Sequence, residues 1–568
     1  MSLLPCQEND TGWHIALGRL ILDGRFPRTN ALSWTTPDAP WYPTSWLYDV
    51  LSALAAHAPG ALGVQVLTLA FFGTALTLAA LACADEDPRA VWIGPFLAVL
   101  LSQRATARPH VATWTALAAV LLLGLRSMRA QRDALAMGAP GGETATPVLA
   151  PEATLAARAF RLRLLCLPIL AVAGNLHAGA GFAAGLAGAF SLEAFLRTRR
   201  SRDFALGAAA PLMLLLNPGG AYNLGYLLEN LRVNEVLRVL ENEPPTLASA
   251  PMLFVLGPLV LALCALRFRD RLALALSSAA LFVLSLKALR VAHEFELVSA
   301  PLLAWGTLTV LDHLALRLPR TRTWTAPALL LLAAAAGAQA SHLLHRSRGG
   351  ASFEFDERVL PVRAARFLAE HPLGPRGFTG LRDGGHLVYA LRQPDFSDGR
   401  LQAFPPAFWR AFDQAEQSPR AFQDWLRGLG AEWALTTRIK ERYAGFRLLD
   451  SPDWALVYWD TKSELFVRRD VPALAPVISA FEYKRFRPYG NVFALVQTLS
   501  PPEVLELERE LDRFEQTSPQ DPISAMVRCA SASRLGSLNR EEICTRALDL
   551  ATEPPLQKLV QAAHALHP

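Results

Sequence analysis

Between its apolar runs this chain of 568 residues carries ionisable side chains whose types suit phosphate binding and proton transfer. They are Asp10, His14 and Asp49; Arg104, Arg108 and His110; Asn175 and His177; Asn217, Asn223, Glu229, Glu235, Glu241 and Glu243; and Lys287, Arg290, His293, Glu294 and Glu296. Ionisable groups at membrane depth are costly, so they face a bundle interior or an aqueous cavity. Together these residues outline one polar cavity.

Each group admits a second reading. If 11–22 is helical, Asp10 and His14 lie four residues apart on one face, with Trp13, Leu17, Leu20 and Ile21 buried in the membrane interface. Asp10 is also an N-cap for that helix, and His14 an interfacial polar tip. Arg104 and Arg108 flank the segment 103–110, and their guanidinium forks can hold a lipid phosphate or snorkel to ordinary headgroups. Lys287 and Arg290, followed by His293, Glu294 and Glu296, either face a substrate or lock the bundle as an ion-pair cluster. In AGNLHAG, Asn175 is a turn former, and His177 is a satisfied polar group or a ligand.

The elements that must position these groups are predominantly apolar segments at 62–83, 90–102, 111–125, 164–174, 178–196, 204–216, 251–266, 272–289, 297–314 and 324–344. The expectation is ten crossings of a membrane. Every second gap is loaded with arginine: Arg126 through Arg163; Arg197, Arg199, Arg200 and Arg202; Arg267, Arg269 and Arg271; Arg317, Arg320 and Arg322. The gaps around Arg104, around His177, at 217–249 and at 290–296 alternate with them. Cytoplasmic loops retain Lys and Arg, so the polar cavity and both chain ends are expected outside. Several segments are shorter than the roughly 20 residues a crossing helix needs, so some must be tilted, broken or extended.

Composition agrees, with 52% hydrophobic and 18% charged residues. The net charge of +5 sits mostly in the arginine-rich loops, which leaves no case for nucleic acid. The six cysteines show no metal spacing; Cys83, Cys166 and Cys264 read as small core hydrophobes, and Cys529 with Cys544 is the plausible pair. An outside amino terminus would need translocation without a preceding apolar segment, so either the chain inserts in an unusual way or a first helix is missing ahead of Asp10, the second being the expectation.

Beyond the last crossing the pattern changes. Segments 378–391, 432–437, 454–459 and 464–468 read as short strands, and 361–370, 406–414 and 419–429 as amphipathic helices. From about Tyr489 onward 501–517, 521–533, 539–552 and 555–567 read as successive helices. The fold expected is mainly α: an outer amphipathic loop region at 1–60, a polytopic transmembrane helix bundle at 61–346, an outer α/β domain at 347–470 and a helical C-terminal array at 471–568.

The stretch DTGWH from Asp10, running on through ALGRLILDGRFPRTNALSWT and PWYPTSWLYDVL, resembles the first outer loop of bacterial multi-pass proteins related to the GT-C superfamily of polyprenyl-phosphate-sugar-dependent glycosyltransferases. That superfamily includes protein O-mannosyltransferases and the aminoarabinose transferases of lipid A. RPHVATW from Arg108, GNLHAG, and LNPGGAYN from Leu216 are similar to the same group in order and spacing, over roughly residues 8 to 470. The resemblance implies a GT-C-like bundle in the bacterial cytoplasmic membrane, with its C-terminal domains outside. It implies a polyprenyl-phosphate sugar donor, a glycan, lipid or protein acceptor, contact with membrane lipids, and inversion at the anomeric centre.

By the same resemblance, Asp10 takes the role of the acidic residue acting at the acceptor, with His14 and Asp49 beside it. Arg104, Arg108, His110, His177, Lys287 and Arg290 are candidates for binding the donor. Such sites can also use a divalent cation held by carboxylates and phosphate. Where related chains commonly carry His-Glu before the Trp of the Pro-Trp loop, this chain has Thr44 and Ser45 before Trp46, leaving Asp49 as the nearest acid. Two other functions fit a membrane protein of this kind: a lipid-linked glycan transporter, polymerase or ligase, and a noncatalytic envelope scaffold.

Overall fold

The computed structural model describes residues 6–102, 104–137, 151–222, 239–317, 355–437, 446–487, 496, 498–551 and 554–564. The expected crossing at 324–344, and Asn223, Glu229 and Glu235, lie outside the described residues. The chain divides into two compact units. One comprises Met1–Asn30, Ala39–Phe355 and Leu401–Trp409, the other Ala31–Asp38, Asp356–Arg400 and Arg410–Pro568.

The first unit is built from helices, and every apolar run within the described residues falls on one. Helix α1 spans Thr11–Leu22, α2 Trp46–Ala55, α3 Ala61–Ala84, α4 Ile93–Ser102 and α5 His110–Met137. Among the described residues, Ala61–Ala84, His110–Met137 and Leu289–Leu314 are long and apolar enough to cross a membrane. At about 1.5 Å per residue, 24 residues of α3 cover about 36 Å, more than the roughly 30 Å of hydrocarbon. This is a membrane protein.

The shorter runs are broken where prolines fall. Helix Pro151–Leu164 stops and Cys166–Leu176 restarts around Pro168, which has no N–H to bond back one turn. Ser201–Leu212 carries Pro211 inside its last turn and runs into a tight turn at Met213–Leu215. Helix α5 is the packing centre, with Val111, Trp114, Leu117, Val120 and Leu121 fully buried.

Side-chain contacts sort the loops into two sets. Asp85 and Glu86 after α3 pair with Arg126, Arg129, Arg132 and Arg271, and Arg197 donates to the Arg269 carbonyl. Arg104 and Arg108 meet Glu241 instead, and the Leu289 N–H bonds the Glu243 carbonyl. Among the described residues the first three arginine-rich gaps thus gather with one another and the arginine-poor gaps with one another, as a chain that reverses direction at each helix requires. A buried pair ties the helices of this unit together: Arg163 meets Asp203 at 2.7 Å and donates to Gln131 at 3.0 Å, with both ion-pair partners almost wholly buried.

Helix α1 packs one face against the protein. Thr11, Gly12, His14, Ile15, Leu17 and Gly18 are buried, while Trp13, Leu20 and Ile21 are only partly so. The reason is a close crossing with α2: a Cβ on Gly18 would sit 2.0 Å from the Asp49 carbonyl oxygen. A residue without a side chain is required there.

The second unit contains a four-stranded sheet of order β1-β2-β4-β3, with β1 Gly377–Thr379, β2 Trp433–Thr437, β3 Trp454–Trp459 and β4 Ser463–Arg468. β1 and β2 are parallel, while β4 runs antiparallel to β2 and β3. The strand expected at 378–391 is corrected: only its first residues pair, and Gly384–Leu391 is helical. A Cβ on Gly384 would lie 2.0 Å from the Ser397 carbonyl oxygen, so Gly384 allows the helix to start against that loop. The segment Ala31–Asp38 joins this unit, with the Trp34 indole donating to the Gly377 carbonyl at 3.1 Å.

The tail folds as Pro501–Thr517, Pro522–Arg534, Arg540–Leu550 and Pro554–His564. Ser500 and Glu503 form a capping box, and Asp521 accepts from the N–H groups of Ile523 and Ser524, fixing two of the helix starts. Glu510 accepts from the backbone N–H groups of Lys484, Arg485 and Phe486 at 2.8, 2.9 and 2.6 Å, which docks the tail on the preceding loop. Cys529 and Cys544 form a disulfide between two tail helices.

Candidate functional site

The site grows from the turn between α4 and α5. Pro109 ends that turn and His110 opens α5, leaving the Arg108 side chain projecting from an irregular segment. Three carboxylates meet its guanidinium: Glu8 at 2.8 Å, Asp10 at 2.7 Å and Glu241 at 2.8 Å. Arg104 pairs with the second oxygen of Glu241. Neither arginine is a lone snorkelling side chain.

Asp10 precedes α1 with a helical backbone, φ −80° and ψ −18°, and its side chain makes no cap bond. The N-cap reading is therefore corrected, because the guanidinium of Arg108 takes the carboxylate that would have capped the helix. The shared helical face does not pair Asp10 with His14 either. His14 Nδ1 meets Asp49 Oδ1 at 2.5 Å, and since a carboxylate accepts, the imidazole donates. Both groups are almost wholly buried in the crossing of α1 and α2. Trp46, at the start of α2, donates its indole N–H to Asn175 Oδ1 at 2.6 Å.

The histidines beside the arginines are also held. His110 Nε2 donates to the Arg104 carbonyl at 2.6 Å, fixing the bend that presents Arg104. His177 Nδ1 accepts from the Gly179 N–H at 3.2 Å and lies 2.7 Å from the Thr113 hydroxyl, so the ring proton resides on Nε2. Burial, with the positive field of Arg290, Arg104 and Arg108, pushes His177 down to about 3. It is a neutral imidazole.

The carboxylates divide. Burial raises Glu8, against the pull of Arg108 and with the help of neighbouring Asp10. Glu241 resists the burial that would raise it: Arg108, Arg104 and Arg290 hold it at about 2. Arg290 donates to Asn242 Oδ1 at 3.2 Å, beside Glu241, while Lys287 is exposed and, among the described residues, enters none of these ion pairs. His293 pairs with Glu296 at 2.9 Å one turn along the same helix.

The structure thus brings Asp10, Arg104, Arg108, His110, His177 and Arg290 into one neighbourhood, and sets His14 with Asp49 in the α1–α2 crossing. Glu241 was among the residues expected to outline the cavity, though without a role, and Glu8 is a member that the sequence reading passes over. The only sequence signal of Glu8 is an acidic charge, and the basic segment it meets is a hundred residues away. Asn217 is a further framework residue, donating to the carbonyls of Thr44 and Gly174 at 3.2 and 3.0 Å. A divalent cation does not fit this donor set: Glu8, Asp10 and Glu241 are turned on Arg108. Among the described residues no group of three or more His, Cys, Asp or Glu side chains is arranged to hold a metal ion.

No family model and no curated protein matches the sequence. Solved structures do. The archaeal oligosaccharyltransferase AglB from Archaeoglobus fulgidus, in complex with an inhibitory peptide and a dolichol-phosphate, matches with TM-score 0.47 and 16% identity, over 76% of this chain and 66% of that one. This chain therefore spans just under two thirds of that enzyme. ArnT from Cupriavidus metallidurans, bound to undecaprenyl phosphate, matches with TM-score 0.49 and 14% identity, over 83% of this chain and 95% of that one. A likeness of this strength assigns nothing to individual residues, so the site is read from its own geometry.

Proposed function

We propose that the chain is a membrane-embedded glycosyltransferase that moves a sugar from a polyprenyl-phosphate donor to an acceptor at the outer face of the cytoplasmic membrane. One observation carries the reading: Asp10, Arg104 and Arg108, from two separate segments, converge with Arg290 nearby. Positioned carboxylate and paired guanidinium groups are the two halves that displacement at an anomeric carbon needs.

In this reading the acceptor hydroxyl oxygen attacks the anomeric carbon as the bond from that carbon to the phosphate oxygen breaks. The proton passes to the Asp10 carboxylate, and the electron pair leaves with the lipid phosphate. Arg104 and Arg108 hold that phosphate and stabilise the charge it gains, with Arg290 extending the positive field. One such displacement inverts the centre. His14 and Asp49 are positioning residues, because both are buried in the crossing that sets α1, and with it Asp10, in place.

The test offers radiolabelled polyprenyl-phosphate sugars and candidate acceptors to the purified chain in nanodiscs. Label covalently joined to acceptor is expected. Movement of intact lipid-linked label across the bilayer with no transfer would favour a transporter and sink the proposal.

A further inference from the structure

We infer that Glu241 is the resident occupant of the arginine cradle, and that a lipid phosphate binds there by displacing it. The inference rests on the proposed reading of Arg104 and Arg108 as a phosphate site and concerns how that site is kept closed to anions until a ligand competes.

The geometry is that of an anion already bound. Each oxygen of the Glu241 carboxylate meets a different guanidinium, Oε1 that of Arg108 and Oε2 that of Arg104. Charge-assisted contacts of this kind are what a phosphate would make with the same groups. Each guanidinium has five N–H donors and spends few of them on Glu241, so a group with more oxygens can do better. With Glu241 in place, however, Arg104, Arg108 and Arg290 are already offset by Glu8, Asp10 and Glu241. A phosphate added to that set would bring a fourth acidic group and no new cation.

The displacement needs only the side chain. The chain just after Glu241 is anchored, by the Leu289 N–H bonding the Glu243 carbonyl at 3.0 Å and by Arg290 donating to the Asn242 side chain. The Glu241 side chain itself is 37% exposed, so its carboxylate can swing to water and be solvated there. Arg104 and Arg108 are 19% and 27% exposed, open enough to be reached once it has gone. A tethered carboxylate competes at high effective concentration, and ligand affinity falls in proportion to the fraction of time the cradle is empty. Glu8 and Asp10 remain on Arg108 throughout, so the arginine stays aimed while the occupant changes.

The test titrates the full chain with undecaprenyl phosphate in phosphatidylcholine nanodiscs, read by native mass spectrometry, with phosphatidylglycerol as a second arm. Glu241→Gln keeps the size and removes the charge, and Glu241→Ala serves if the glutamine still bridges the arginines. Apparent affinity scales with the fraction of time the cradle is empty, so with occupancy by Glu241 of about four fifths or more, either variant is expected to bind undecaprenyl phosphate at least about fivefold more tightly than the parent. Arg108→Ala in the same background should abolish the gain. Parental binding with no gain in either variant overturns the role of Glu241 and leaves the glycosyltransferase reading standing. A gain confined to phosphatidylglycerol supports Glu241 as occupant but contradicts a polyprenyl ligand. Failure of parent and variants alike to bind any lipid phosphate overturns both.

Discussion

Arg108 is the residue on which the site turns, because its one guanidinium orients Glu8, Asp10 and Glu241 together. Arg108→Ala is expected to weaken undecaprenyl phosphate binding by about 10- to 100-fold, the worth of a lost charge-assisted hydrogen bond. Arg108→Lys should fall between, since lysine keeps the charge but not the fork. Equal binding by all three proteins would return Arg108 to a structural role. A second residue gives a pH signature. His386, buried in the second unit, is pushed down to about 4 by burial, against the pull of Asp383 and with Lys462 adding to the depression. The unfolded imidazole titrates near about 6.5, so the unfolded chain takes the proton first. The contribution is therefore complete above about pH 6.5 and is lost as the pH falls toward 4. Thermal unfolding across this range should show a steeper acid loss in the parent than in His386→Asn; parallel curves would contradict it.

At the scale of elements, the bundle depends on contacts between helix ends as much as on apolar faces. Asp203→Ala leaves Arg163 buried without its ion-pair partner, and removal of one partner of a buried pair typically costs about 3–5 kcal/mol. Combining Arg163→Met with Asp203→Leu should recover most of that loss in detergent unfolding; a double variant as unstable as the single one would rule out the explanation. The bundle helices were legible from their apolar runs, even where prolines break the shorter ones, and the tail helices because Ser500, Pro501, Asp521 and Pro522 mark their starts. The pairings were not. Whether Asp10 caps a helix or meets Arg108 depends on a partner nearly a hundred residues away, which no local pattern encodes. The same holds for 378–391, where aromatic and β-branched residues suggest a strand. The close approach that requires glycine at the start of the helix is with Ser397, a residue beyond the segment.

At the scale of the molecule, alternation of arginine-rich and arginine-poor loops agrees with the ion pairs that gather each set. The proposed topology, with the arginine-rich loops in the cytoplasm and the second unit outside, is open to test by labelling. Cys6, Cys83, Cys166 and Cys264 are buried, so single cysteines introduced at exposed positions can be labelled over a quiet background. Ser201→Cys should react only from the cytoplasmic side and Arg420→Cys only from outside; labelling of both from one side would overturn the topology. The most direct test of the central claim compares sugar transfer by the parent and by Asp10→Asn in nanodiscs, at saturating polyprenyl-phosphate sugar. Asparagine keeps the shape but cannot take the proton, and positioned acids and bases typically contribute about 10²- to 10⁴-fold. The account predicts a fall of that order with donor binding largely kept, and transfer by Asp10→Asn at the parental rate would contradict it.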